Sequence, residues 1–261
     1  MEPAEVARRV AEGDRRACAQ LITRVENRDP AALAALARLP EARSLRIGVT
    51  GPPGAGKSTL VDRLVRQARD EGAKVGVLAV DPSSPRSGGA LLGDRIRMSA
   101  HATDPGVFIR SMGSRGHYGG LADATADATR VLEAFGCSVL FLETVGVGQS
   151  EVEVVGLADV TILVLGPNAG DGIQAMKAGI MEVPDLYVVN KADLPGAEAA
   201  ALEIRRMLTQ DLDAVDRRSP EDRVFLTRAL EDLDSGGVLP LWRALTDRRV
   251  PAAPAHLKEV P

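Results

Sequence analysis

The chain has 261 residues, a formal net charge of −4, and 45% hydrophobic and 26% charged residues. That length buries a full α/β core and leaves room for one domain with appendages. Both signs of charge are scattered without a basic block, which argues against a nucleic-acid or anionic-lipid binder, and the longest apolar run, Val160 to Gly166, is far too short to cross a bilayer.

The start, MEPAEVARRVAEGDRR, carries acids and lacks an apolar h-region, so it is not read as a secretory signal. Residues 4–39 read as helical, with Val6, Val10, Leu21, Ile22, Val25, Leu33 and Leu36 at helix-like intervals and a break at Asp29-Pro30. Cys18 and Cys137 match no metal or redox spacing and read as reduced thiols of a cytoplasmic protein.

From Leu45 the texture changes. Short apolar, β-branched runs appear at 45–50, 75–80, 107–110, 138–143, 160–165, 186–190 and 224–227, with amphipathic segments such as 58–72 and 125–136 between them. Near-continuous apolar strands separated by helices predict a mainly parallel sheet covered on both faces. Right-handed crossovers then gather the loops that follow the strands at one edge. After Pro240 a short helix, LWRALTDRR, gives way to PAAPAHLKEVP, which reads as a frayed end. The expected organisation is a helical extension over 1–43, an α/β domain over 44–235 and a short C-terminal helix with a tail over 236–261.

Gly51-Pro-Pro-Gly-Ala-Gly-Lys-Ser58 fits G-x4-G-K-[ST] directly after a strand and before an amphipathic helix. Glycines let consecutive backbone N–H groups curl around a phosphate, and the helix N-terminus adds a favourable dipole. Lys57 supplies a point charge for the β- and γ-phosphates, and Ser58 offers a hydroxyl to Mg²⁺. Gly54, Ala55, Gly56, Lys57, Ser58 and Thr59 are therefore the expected phosphate contacts, and the fold class is a three-layer P-loop NTPase.

Asn190-Lys191-Ala192-Asp193 ends the 186–190 strand and matches N-K-x-D. A carboxylate at Asp193 accepts two hydrogen bonds from the N1–H and 2-amino groups of guanine. Adenine offers neither donor, and the unpaired carboxylate is what makes the discrimination large. Lys191 can lie along the base and Asn190 can tie the loop to its neighbours. Thr227, Arg228 and Ala229 sit where a last base-contacting loop would fall. The ligand is thus expected to be GTP or GDP.

Asp81 and Glu143 each end a strand at the edge that carries the phosphate loop, and Asp94 follows Asp81 in PSSPRSGGALLGDRIRM. Mg²⁺ on a nucleotide takes one or two carboxylates beside the phosphate oxygens, so Ser58, Asp81, Asp94 and Glu143 are the nominated metal groups. Asp81 also reads as a turn former before Pro82, and Glu143 as a polar strand end. Lys57 and Glu143 are the expected catalytic groups. Gly146 and Gln149 lie in Thr144-Val-Gly-Val-Gly-Gln-Ser150, a segment whose composition suits a loop that reorders on hydrolysis. Arg115 and His117, in a second glycine-rich stretch, carry no catalytic assignment.

GPPGAGKST, AVDPSSP with SGGALLGDRIRM, SRGHYGGL, ETVGVGQSE, PNAGDGIQAMKAGIMEVPDLYVVNKAD and the N-terminal AEGDRRACAQLITRVEN together resemble the methylmalonyl-CoA mutase-associated GTPases of the MeaB/ArgK type, over residues 5–245. The resemblance implies a GTPase of low intrinsic turnover, stimulated by its partner. It would act as a chaperone for an adenosylcobalamin-dependent acyl-CoA mutase, gating cofactor loading and protecting that enzyme. It also implies a mobile switch from Asn168 to Glu182, including Asp171, Gln174 and Lys177, that couples nucleotide state to the mutase. Relatives of this type continue into a longer C-terminal arm that builds a homodimer. Here the chain stops soon after Trp242-Arg243, so the expectation is a homodimer formed differently, a protein closer to a monomer, or one that relies on the mutase for its second surface. No nucleic-acid or membrane partner is expected.

Three alternatives stand beside this reading. A metallochaperone GTPase would need clustered ligands, whereas only His101, His117 and His256 accompany two scattered cysteines. A small-molecule kinase or transport-linked ATPase conflicts with the N-K-x-D loop. A binding module without hydrolysis is the third, since no catalytic base is evident and phosphoryl transfer relies mainly on positioning and charge.

Overall fold

The computed structural model describes residues 2–81, 101, 103–113, 121–144, 153–154, 156–168, 170, 184–210, 219–231 and 236–247. The strands are β1 (Leu45–Thr50), β2 (Val75–Asp81), β3 (Val107–Gly113), β4 (Val139–Thr144), β5 (Val160–Leu165), β6 (Leu186–Asn190) and β7 (Val224–Thr227). They form one seven-stranded sheet in the order β3-β2-β4-β1-β5-β6-β7. Every pairing is parallel. Every residue of β4 and β6 is buried, as expected for strands covered on both faces.

Because successive side chains point to opposite faces, each strand feeds two cores. On one face Ile47, Val49, Phe141, Ile162 and Val188 pack against α4 (Lys57–Asp70) and α8 (Val238–Thr246). On the other, Leu78, Val80, Leu140 and Leu142 meet α1 (Pro3–Ala11), α2 (Arg15–Glu26), α3 (Pro30–Leu36) and α5 (Leu121–Ala134). Leu163, Leu165, Tyr187 and Val189 meet α6 (Ala197–Gln210) on that same side, and a short α7 (Pro220–Arg223) leads into β7. The result is a helix–sheet–helix sandwich.

The N-terminal extension holds three helices where the periodicity predicts two. The additional break comes at Gly13, which takes φ +84°, and at Asp14, whose carboxylate accepts from the N–H groups of Arg16 and Ala17 and so starts α2. Asp29 caps α3 in the same way. These helices share one continuous core with β2, β3, β4 and α5. Arg110 of β3 pairs with the buried Glu26 at 2.5 Å, and Arg28 reaches Asp123 and Asp127 of α5. Cys18 and Cys137 lie in this core as free thiols. Burial raises the pKa of both, that of Cys137 to about 12, so neither is a reactive thiolate at neutral pH.

The C-terminal helix starts two residues before Pro240, at Val238, because Gly237 at φ +70° turns the chain against the Leu226 carbonyl. Its Trp242 is buried and donates from Nε1 to Glu71 Oε1 at 2.7 Å, tying α8 to the end of α4. The expected frayed end, PAAPAHLKEVP over 251–261, lies outside the described residues. Among those residues no helix is long and apolar enough to cross a membrane.

The outer side of α4 is pinned to the segment that enters β3. Arg69 forms a two-pronged pair with Asp104, at 2.8 and 3.1 Å, which lowers the pKa of the Asp104 carboxyl. His101 Nε2 lies 3.3 Å from Asp62 Oδ1 and 3.2 Å from the Asp62 carbonyl oxygen. The Asp62 carboxylate, aided by Asp104, raises the pKa of His101 above the ordinary imidazole value of 6.5 against the opposing effect of burial. A raised folded-state pKa adds stability that is full below about pH 6.5 and is lost as pH climbs through the folded value. His101→Gln is therefore expected to lower the unfolding free energy most at pH 5.5 to 6 and progressively less on the alkaline side, by about 1 kcal/mol at its largest. Chemical unfolding of both proteins across that range checks this, and a deficit that does not vary with pH refutes it.

Candidate functional site

With all strands parallel, Thr50, Asp81, Thr144, Asn190 and Thr227 come out on the same edge of the sheet. β1 is central. Its connection runs to β2 on one flank, while that of β4 runs to β5 on the other, so the phosphate loop opens where the connections diverge.

The loop leaves β1 through Gly51, at φ +141°, where a side chain would collide with the Val164 carbonyl of β5. Gly54 and Gly56 also take positive φ, +79° and +91°. A Cβ on Gly56 would collide with Asn190 Nδ2, so glycine is required there on two counts. Gly56 is the N-cap of α4, which leaves the first N–H groups of the helix for an anion. Ala55, Lys57 and Ser58 are buried, and Thr59 is half-buried. Lys57, only 7% exposed, donates from Nζ to the carbonyls of Gly51 at 2.7 Å and Pro52 at 3.1 Å. Those bonds curl its ammonium back over the loop it would share with a phosphate.

One residue further, Ser58 Oγ donates to Glu143 Oε1 at 2.5 Å, with both side chains buried. Glu143 lies opposite Val49 in the β1–β4 pairing and opposite Ala79 in β2–β4. Register thus brings a carboxylate from one strand end to a hydroxyl at the start of α4. A hydroxyl and a carboxylate, both hard oxygen donors, at the mouth of a phosphate loop suit Mg²⁺, which takes few protein ligands and completes its shell with phosphate oxygens and water. Asp81 stands at the end of β2, opposite Gly113, on the same edge, and its side chain is not among the described ones. Asp94, Gly146, Gln149, Asp171, Gln174 and Lys177 lie outside the described residues, so the structure neither joins them to this cluster nor separates them from it.

The flank of the loop beside β6 and β7 is built around Asn190, which is 2% exposed. Its Nδ2 donates to the carbonyl of Ala55 at 3.1 Å, and its Oδ1 accepts from Thr227 Oγ1 at 3.1 Å and from the Ala229 N–H at 3.3 Å. One buried amide therefore joins the phosphate loop, the end of β6 and the turn after β7. Lys191 follows in the left-handed region, at φ +58°, with its side chain running past Gly56. The Ala192 N–H donates to the Thr227 carbonyl at 3.0 Å. Asp193 is exposed at the rim. Arg228 donates its N–H to the Gly236 carbonyl at 2.8 Å and pairs with Glu231.

Asn190 ties the loop to its neighbours, as its place in N-K-x-D suggests. One feature escapes the motifs. Arg63 of α4 donates from Nε to the Ala229 carbonyl at 2.8 Å, across 166 residues of chain. No local pattern marks an arginine on a helix surface as reaching so far.

Comparison with known proteins points to one family. The family model described as "Methylmalonyl Co-A mutase-associated GTPase MeaB" matches residues 18–255. A protein of Pyrococcus abyssi (strain GE5 / Orsay) is 49% identical over 247 residues, spanning 94% of this chain and 75% of that protein. GTPase ArgK of Escherichia coli (strain K12) is 41% identical over 252 residues, again 94% of this chain and 75% of the relative. Among solved structures, a LAO/AO transport system kinase superposes with a TM-score of 0.70 at 33% identity, covering 98% of this chain and 78% of that one. The hydrogenase maturation factor HypB of Archaeoglobus fulgidus, at 18% identity and a TM-score of 0.52 over 94% of this chain and 97% of its own, shares the fold.

Proposed function

Because this chain belongs to the methylmalonyl-CoA mutase-associated GTPase family, we propose that it is a Mg²⁺-dependent GTPase that serves as a chaperone for an adenosylcobalamin-dependent acyl-CoA mutase, gating cofactor loading and protecting the enzyme. The observation that carries the nucleotide half of this reading is the convergence of Lys57, the Ser58–Glu143 pair and the Asn190 hub on one sheet edge. The client half rests on the family's description.

In this reading the N–H groups of Gly54 to Thr59 and the Lys57 ammonium hold the β- and γ-phosphates. Asp193 accepts the two donors of guanine while Lys191 covers one face of the base. Thr227, Arg228 and Ala229 close the base pocket. Ser58 and Glu143 would hold Mg²⁺, and Asp81 and Asp94 are the further carboxylates proposed for it. When bound, that ion neutralises charge developing between the β- and γ-phosphates. Glu143, bonded to Ser58, also fixes the hydroxyl in its binding orientation. Gly146 and Gln149 would respond to the γ-phosphate, and Asp171, Gln174 and Lys177 would carry that response to the mutase.

The test is GTP hydrolysis at saturating Mg²⁺ with and without a purified adenosylcobalamin-dependent acyl-CoA mutase from the same organism. Stimulation of about tenfold or more is the expected result. A rate unchanged by the mutase keeps the GTPase and removes the client.

A further inference from the structure

The helix that begins at the phosphate loop is bonded a second time to the base side of the site, well away from the loop. Arg63 sits six residues beyond Lys57, about 9 Å further along α4 at 1.5 Å per residue. From there its Nε donates to the Ala229 carbonyl at 2.8 Å, and Nη2 lies 3.5 Å from the Leu230 carbonyl. Ala229 is the residue whose N–H donates to Asn190 Oδ1. Its peptide groups are therefore held from both ends, by Asn190 on the N–H side and by Arg63 on the carbonyl side. The Ala229 side chain is buried against the same core as α4, the Leu230 side chain is 84% exposed, and the backbone N–H groups of Arg228 and Glu231 donate to Gly236 and within the loop.

We propose that Arg63 is a positioning residue for the guanine base: it clamps the Thr227–Ala229 turn to the phosphate-binding helix, so that the base-reading and phosphate-binding halves of the site are set at a fixed separation before nucleotide arrives. The inference rests on the nucleotide-site assignment made above. A ligand spanning both halves gains from the clamp, because ordering the turn no longer draws on its binding energy. A ligand that fills only the phosphate half gains nothing. Lysine can donate to the same carbonyl through one ammonium, though it lacks the arginine fork.

The experiment is competition against a fluorescent GDP analogue, with GDP and inorganic pyrophosphate as competitors, for the native chain, Arg63→Ala and Arg63→Lys in the presence of Mg²⁺. Arg63→Ala is expected to weaken GDP by about tenfold while pyrophosphate changes by less than about twofold, and Arg63→Lys to recover most of the GDP affinity. Equal weakening of GDP and pyrophosphate would mark general damage to α4 and overturn the proposal, as would unchanged GDP affinity in Arg63→Ala. If Arg63→Ala does not fold, Arg63→Lys and Arg63→Gln carry the same comparison. Failure of the native chain to bind GDP at all would instead overturn the nucleotide-site assignment, and the clamp with it.

Discussion

Lys57→Ala is expected to lower affinity for GTP and GDP by at least about 100-fold and to remove measurable hydrolysis. The ammonium is buried and donates to the carbonyls of Gly51 and Pro52, so it is already desolvated and aimed over the loop. A charged hydrogen bond in such a place contributes about 1.5 to 3 kcal/mol, and two phosphate groups share it. Part of the effect is structural, because the two carbonyls lose their donor. Calorimetric titration of GDP, read beside thermal melts of the same samples, separates the two contributions. Retained tight binding in a folded variant would remove the loop from Gly51 to Thr59 as the phosphate site.

Asp193→Asn should exchange the preferred base. In the proposed site the carboxylate accepts from guanine N1–H and the 2-amino group, whereas an asparagine amide presents a donor that suits the 2-oxo group of xanthine. Loss of a paired buried polar contact is the kind of change that moves selectivity by about 10³-fold or more. Asp193 is exposed at the rim, so the substitution should leave stability within about 0.5 kcal/mol. Competition between GDP and XDP on the native and variant chains reads the swing directly. An unchanged preference for GDP would take Asp193 out of the base site.

The strands were legible because a strand buried on both faces cannot hide its apolar run. β4, β5, β6 and β7 fall within one residue of where those runs lie. β3 runs on to Gly113, past the expected end, because Ser111, Met112 and Gly113 pair with Ala79, Val80 and Asp81 through backbone groups that leave no apolar signal. The order of the strands was not legible at all, since it depends on packing between segments far apart in sequence. Helix α6 was similarly hidden: its alanine-rich start carries little amphipathic contrast. In the site, the loop from Gly51 to Ser58 and Asn190-Lys191-Ala192-Asp193 were legible as local spacing patterns, and the fold brings the two together. The Ser58–Glu143 bond, the Asp62–His101 pair and the Arg63 clamp were not, since each joins residues that only the finished fold makes neighbours.

The placement of β1 has a consequence for the chain as it leaves the ribosome. Both neighbours of β1 are made later than β1 itself: β4, reached by the bond from Thr144 to Val49 across 95 residues, and β5. The strand that launches the phosphate loop therefore emerges with no partner and stays an orphan until β4 and β5 have been translated. At about 5 to 20 residues per second the 115 residues from the end of β1 to the end of β5 take about 6 to 23 s. The Asn190 hub closes later still, once Thr227 has emerged. A nucleotide bound as proposed could therefore add its binding energy to the fold only after β7 has been translated.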